Sequence, residues 1–376
     1  MKIIQIATLV TPDGAYGGPI RVAINQTRAL LEAGHDVTLA AGARGFGATL
    51  PDNFDGVPVR LFDATLIPKL GFAGTVSPGL QKWIKRAAPT ADVCHIHLGR
   101  DLLTMPAAKA IARAKVPYVV QTHGMIDASS KILSGPFDRF LTRPVLRTAG
   151  QVFYLTDQER TDLEGVVPGL LRFAELLNGV PTASSQFGSP EPETPEVLFL
   201  ARLQARKRPM VFIEMAKRLQ GRFPQARFVL VGPDEGEGQA VRDAIADSGL
   251  GETIRWEGAT EPEQVSERLA RCSIYVLPSV NEPFPMSVLE ALSLGKPVVV
   301  TNTCGLAPFI KTANAGFVAG PDTDSLTEAV FNLLNDKNLR EVSGRNAASI
   351  ARSEFSMSGI SEKIIETYDR LVVKNG

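Results

Sequence analysis

The chain has 376 residues, 44% hydrophobic and 21% charged, and its 40 Lys and Arg balance 40 Asp and Glu. That composition excludes a disordered chain and fits two or three globular domains; with no overall basic excess it argues against a nucleic-acid binder. Cys94, Cys272 and Cys304 are too few and too scattered for a disulfide framework or a cysteine zinc site, which points to the reducing cytoplasm.

The opening run MKIIQIATLV is cut by Thr11, Pro12 and Asp13. It is too short to span a membrane and has no cleavage-site pattern, so a buried strand is expected over 2–9. Apolar runs predict further strands over 37–41, 93–96, 118–122 and 151–155, then over 196–200, 227–231, 254–257, 274–277 and 297–301. Amphipathic helices are expected over 20–33, 209–221, 239–248 and 356–373. Continuous apolar runs suit parallel strands covered on both faces, and their alternation with helices gives a doubly wound α/β architecture. Between the two series, residues 178–195 read NGVPTASSQFGSPEPETP, a linker composition. The expected organisation is a Rossmann-like domain over 1–180, a second over 190–355, and a terminal helix over 356–376. Ligands of such folds sit at the carboxyl ends of the strands.

Four stretches fall at those ends. Gly17-Gly18-Pro19 follows the first strand and opens a helix. It is either a simple turn or a place where backbone N–H groups approach an anion. Arg202 and Lys207 follow the strand over 196–200, where two cations near a helix start form a diphosphate clamp or a solvated basic loop. After 274–277 comes SVNEPFPMSVLEAL. Its prolines impose an extended loop, the helix-start amides near Met286–Val288 lack intrahelical acceptors, and Glu290 stands in an otherwise apolar run. His123 follows the strand over 118–122. His95 and His97 alternate on their strand and share a face, an arrangement read as packing and hydrogen bonding, without a third metal ligand nearby. Asp322-Thr323-Asp324 reads as a helix cap.

Taken together these residues resemble the retaining glycosyltransferases of family 4, which have the GT-B fold of two Rossmann-like domains facing across a cleft. The resemblance rests on E-x(7)-E at Glu282 and Glu290, R-x(4)-K at Arg202 and Lys207, the Gly17-Gly18 loop and His123. It implies that Glu290 binds the nucleotide ribose and Glu282 the donor sugar, with Phe284 and Met286 shaping that pocket. It implies that Arg202 and Lys207 neutralise the leaving diphosphate, that Gly18 and amides near Ser287 and Val288 hold its oxygens, and that Gly232 lies near the base. His123 would contact the donor sugar, and the terminal helix would return to the first domain. The implied activity is transfer of a hexose-type sugar from a UDP- or GDP-linked donor to a glycan, glycolipid or small-molecule acceptor, with retention and without a metal or other cofactor. A nucleotide-sugar epimerase or phosphorylase of the same fold is the alternative. Ala201 stands where the family usually has Gly. Pro285 has no amide hydrogen, which removes one donor contact.

The charge balance conceals a basic stretch. Residues 60–150 hold 13 Lys and Arg against 5 Asp and Glu. Mixed with Trp83, Phe137, Phe140 and Leu141, these cations form either an ordinary solvated face or a peripheral contact with an anionic membrane carrying a lipid-linked acceptor.

Overall fold

The computed structural model describes residues 1–12, 17–47, 49–127, 134–169, 172–181, 194–261 and 264–373. Most of the 178–195 linker, as well as Lys131, lies outside them. The chain divides into two compact units, one of Met1–Gly179 with Met357–Gly376 and one of Val180–Ser356.

The strands of the first unit are β1 (Lys2–Val10), β2 (Asp36–Ala43), β3 (Asn53–Phe54), β4 (Val57–Asp63), β5 (Thr65–Leu66), β6 (Thr75–Val76), β7 (Val93–His97), β8 (Tyr118–Gln121), β9 (Gln151–Tyr154) and β10 (Phe173–Glu175). Its main sheet runs β10-β9-β8-β7-β1-β2-β4-β3, parallel except for the β3–β4 edge; β5 and β6 pair separately. The chain winds from β1 toward β4, then returns to build the other half from β7. The topological switch point therefore lies between β1 and β7.

Period-two alternation gives this sheet two different faces. Ile4, Ile6, Cys94 and Ile96 point into an apolar core. On the opposite face Gln5 pairs in register with His95, and His97 follows two residues on. Asn25, Gln26 and Thr27 on the helix Gly17–Glu32 are all buried; Thr27 donates to Gln5 of that stripe, Gln26 to Gln121 of β8 and Asn25 to Gly179 O. The helix Met357–Val373 packs on both that helix and β7 and belongs to this unit.

The second unit has β11 (Glu196–Leu200), β12 (Arg227–Val231), β13 (Ile254–Trp256), β14 (Ile274–Leu277), β15 (Val298–Thr301) and β16 (Gly316–Ala319). They form one parallel sheet in the order β13-β12-β11-β14-β15-β16. This is the doubly wound order with its switch point between β11 and β14.

Several expectations shift. The first helix begins at Gly17 instead of residue 20, because Pro19 is tolerated within a first turn; Gly17 and Gly18 are thus helical. Sequence reasoning missed β4, β10 and β16, all short or half-exposed. Asp322 does cap the helix Thr323–Asn335, accepting the Ser325 N–H at 2.8 Å.

Candidate functional site

In the second unit the loops after β11 and β14 leave the switch point side by side. Main-chain contacts tie them together: Val280 N–H donates to Arg206 O at 3.4 Å, and the Arg206 and Arg208 guanidiniums donate to Asn281 O and Pro278 O, each at 3.3 Å. Arg208 adopts a left-handed φ of 59° and turns the chain into Pro209, the first residue of the helix Pro209–Gln220. Beyond β14, Asn281 is also left-handed, and Glu282 then bridges to the loop after β15 through Gly305 N–H, at 2.8 Å from Glu282 O.

This scaffold brings Lys207 and Glu282 into contact from 75 positions apart. Lys207 Nζ lies 2.6 Å from Glu282 Oε2, with both side chains about nine-tenths buried. Arg206 adds a second cation at 3.2 Å from the same oxygen. Burial pushes the Lys207 ammonium below its ordinary pKa, and the Glu282 carboxylate pulls it back up. The pair is held by opposite charge in a place where either ion alone is costly.

Arg202 is engaged elsewhere. It donates to Glu235 Oε1 at 2.7 Å, and Gln204 donates to the other oxygen of that carboxylate at 2.6 Å. Glu235 follows β12, and the β11 and β12 loops pair through Leu203 and Asp234. Gly232 permits this approach. Its φ is +146°, and a Cβ there would stand 2.0 Å from Ala201 O. Its carbonyl accepts the Trp256 indole N–H at 2.9 Å.

The helix Met286–Ser293 starts beside the ion pair without a side-chain cap, which leaves its first amides and the positive end of its dipole directed at the strand ends. Val288 N–H reaches back to Pro285 O at 3.2 Å, so Met286 and Ser287 supply the outermost amides. Tyr275 Oη links Ser287 Oγ, at 2.7 Å, to Leu200 O, at 3.0 Å. Glu290 is half-buried on the second turn and close enough to help raise the Tyr275 pKa, which burial chiefly lifts. Phe284 packs edge-on against Phe355 at 6.0 Å and, like Met286, is mostly buried. Ser279 Oγ, also at the end of β14, is buried without a partner among the described residues.

The first unit builds a different assembly. His123 follows β8 with a left-handed φ of 53°. Its Nε2 lies 2.8 Å from His97 Nδ1, and the two rings stack 5.1 Å apart. His97 Nε2 lies 3.3 Å from Gln5 Oε1, which also accepts the Thr27 hydroxyl at 3.2 Å. His95 stacks on His97 and its Nδ1 meets Tyr368 Oη at 2.7 Å. Burial holds the imidazolium forms off: His95 and His123 fall to about 3 and His97 well below its ordinary value. Gly18 lies exposed in the first helical turn, with open space where a Cβ would stand.

Sequence reasoning thus named Lys207, Glu282, Glu290 and His123 but missed Gln5, Arg206, Glu235 and the Tyr275–Ser287 contact. Gln5 was signalled by an amide inside the apolar run MKIIQIATLV; Glu235 had no comparable signal.

A family model described as "Glycosyl transferase 4-like domain" matches residues 17–169, and one described as "Glycosyl transferases group 1" matches residues 182–349. The alpha-D-kanosaminyltransferase of Streptomyces kanamyceticus is 28% identical over 67% of this chain and 70% of its own length. An N,N'-diacetylbacillosaminyl-diphospho-undecaprenol alpha-1,3-N-acetylgalactosaminyltransferase of Campylobacter jejuni is 35% identical over 48% of this chain and 46% of its own length. Among solved structures, Anabaena Alr3699/HepE in complex with UDP superposes with a TM-score of 0.76 at 20% identity, covering 99% of this chain and all of that one. Sucrose-phosphate synthase from Thermosynechococcus elongatus gives 0.75 at 18% identity, covering 98% of this chain and 99% of that one. With one glycosyltransferase model on each unit and this fold throughout, the chain belongs with the glycosyltransferases of GT-B fold.

Proposed function

We propose that the protein transfers a hexose-type sugar from a nucleotide-sugar donor, with retention of configuration and without a metal ion, and that the second unit holds the donor. The carrying observation is the buried Lys207–Glu282 pair at the β11–β14 switch point, flanked by Arg206 and an uncapped helix start. A diphosphate leaving group gains negative charge as the glycosidic bond breaks. Fixed cations and helix-start amides stabilise that charge most where water is excluded. Lys207, Arg202 and Arg206 serve the role a divalent cation would otherwise fill, and the amides of Met286 and Ser287 add aligned dipoles. In this reading Glu290 accepts ribose hydroxyls. Glu282 keeps Lys207 charged and offers its remaining acceptor capacity to a sugar hydroxyl. Retention fits attack on the face the diphosphate leaves, with the departing phosphate taking the acceptor's proton. The name of the Campylobacter relative includes a diphospho-undecaprenol-linked sugar, which supports a lipid-linked acceptor as one candidate for this scaffold.

The test is transfer with a panel of UDP-, GDP- and dTDP-sugars in EDTA. Retained anomeric configuration and full activity in EDTA are expected; an inverted product or a strict metal requirement would overturn the reading. Turnover of the nucleotide sugar with no acceptor and no free sugar formed would favour the epimerase instead.

The basic stretch also bears on the acceptor. Phe137, Leu141 and Trp83 pack onto the core, whereas Phe140, at 66% exposure, stands outward with Arg139 over its ring, and Ile67 and Leu70 are also exposed. The contact with an anionic membrane proposed from the sequence therefore rests on these three residues and the surrounding cations. No helix among the described residues is long and apolar enough to cross a membrane.

A further inference from the structure

The polar face of the first unit contains a chain of side chains whose proton positions follow from how the Gln5 amide is turned. With Oε1 toward His97 Nε2, at 3.3 Å, the amide oxygen accepts a proton from the ring, and Gln5 Nε2 is the buried amide group left without a partner among the described residues. A neutral imidazole has a single N–H. His97 Nδ1 is then a bare lone pair, and the 2.8 Å contact to His123 takes its proton from His123 Nε2. That uses the only N–H of His123. Its Nδ1 is left unprotonated, and it is buried without a partner among the described residues.

We propose that Gln5 sets the tautomer of His123 through His97, so that His123 Nδ1 is an acceptor-only site for a ligand hydroxyl. Such a nitrogen accepts O–H groups and repels phosphate or carbonyl oxygen, which restricts the ligand group facing it. The three rings remain neutral because burial opposes their charging. The ring is also held from its backbone side. Glu159 accepts the Thr122 hydroxyl and the Gly124 N–H, each at 2.5 Å, and the Leu155 N–H at 2.7 Å. Glu159 thereby fixes the turn in which His123 keeps its left-handed φ. Gln5 and His97 act as positioning residues and touch no ligand themselves.

That the hydroxyl belongs to a sugar rests on the function proposed above. The tautomer does not, and it can be read in the free protein. The experiment is a long-range proton–nitrogen correlation spectrum of the full chain labelled with nitrogen-15 histidine. Its four histidines are assigned by single substitutions. In the wild type, His123 should show a pyridine-like Nδ1 and a pyrrole-like Nε2, and His97 the same tautomer. The Gln5 amide oxygen is the acceptor on which both signatures depend. Gln5→Met removes it and should give averaged, mixed signals at His123. His97→Phe keeps a stacking ring without nitrogen and should do the same, which retains the test if Gln5→Met does not fold. A pyrrole-like Nδ1 at His123 in the wild type would overturn the proposal, as would an unchanged pure tautomer in either Gln5→Met or His97→Phe.

Discussion

The two sheets carry different chemistry at their switch points. Between β1 and β7 the first unit presents neutral groups, Gln5, His95 and His97, joined to His123, Thr27 and Tyr368 by hydrogen bonds. Between β11 and β14 the second presents ions, Lys207, Arg206 and Glu282. The same topology thus creates two pre-shaped strand-end sites, and side-chain choice decides what each can hold. A neutral network orients hydroxyls and resists protonation. An ionic one stabilises charge that appears during a reaction, at the cost of keeping its own ions paired.

The comparison breaks most clearly at Lys207. Lys207→Ala should lower transfer on the order of 10²–10³-fold, the usual effect of removing one group that stabilises transition-state charge. Near-normal kcat in a folded variant would place the chemistry elsewhere. The next effect separates the ions' structural work from their catalytic work. Glu282→Gln should cost about 3 kcal/mol in denaturant unfolding, because it strands a buried ammonium. The double variant Lys207→Met with Glu282→Leu should regain most of that stability and none of the activity.

The neutral network gives a pH signature of its own. The histidines of the unfolded chain take protons near 6.5, whereas folded His95 and His123 resist them down to about 3. Over that interval the unfolded state binds more protons, so their contribution to stability is full above pH 6.5 and is lost as pH falls toward 3. Asp101 acts in the opposite sense. Burial raises its carboxyl to about 6, so the folded state holds the extra proton between about 4 and 6 and gains stability on acidification. Thermal melts in Asp101→Asn, which removes that compensation, should fall more steeply between pH 6 and 4 than in the wild type. Equal slopes would contradict the assignment.

The smallest expected effect is at the surface. Phe140→Ser should change stability by no more than about 0.5 kcal/mol and reduce flotation with anionic vesicles at low salt. Unchanged flotation would remove Phe140 from any membrane contact.

Much of this arrangement was legible in the sequence, for physical reasons that also explain the gaps. Glu196–Leu200, Arg227–Val231 and Ile274–Leu277 match their expected bounds because central parallel strands are buried on both faces and read as unbroken apolar runs. Val57–Asp63 escaped because it alternates buried and exposed residues near a sheet edge, and Gly316–Ala319 because it is short and half-covered. At the sites, residue types pointed to Lys207 and Glu282 singly, but their pairing depends on two loops brought together by the sheet order. His123 drew attention by following a strand, whereas its dependence on Gln5 arises from β1–β7 register, which no local pattern encodes.

The proposed function requires the ionic switch point of the second unit to receive the nucleotide diphosphate. Calorimetric titration of UDP and GDP into the wild type and into Lys207→Met/Glu282→Leu tests this directly. Saturable binding of at least one nucleotide by the wild type and its loss in the folded double variant are expected; equal affinity in both proteins would contradict the assignment.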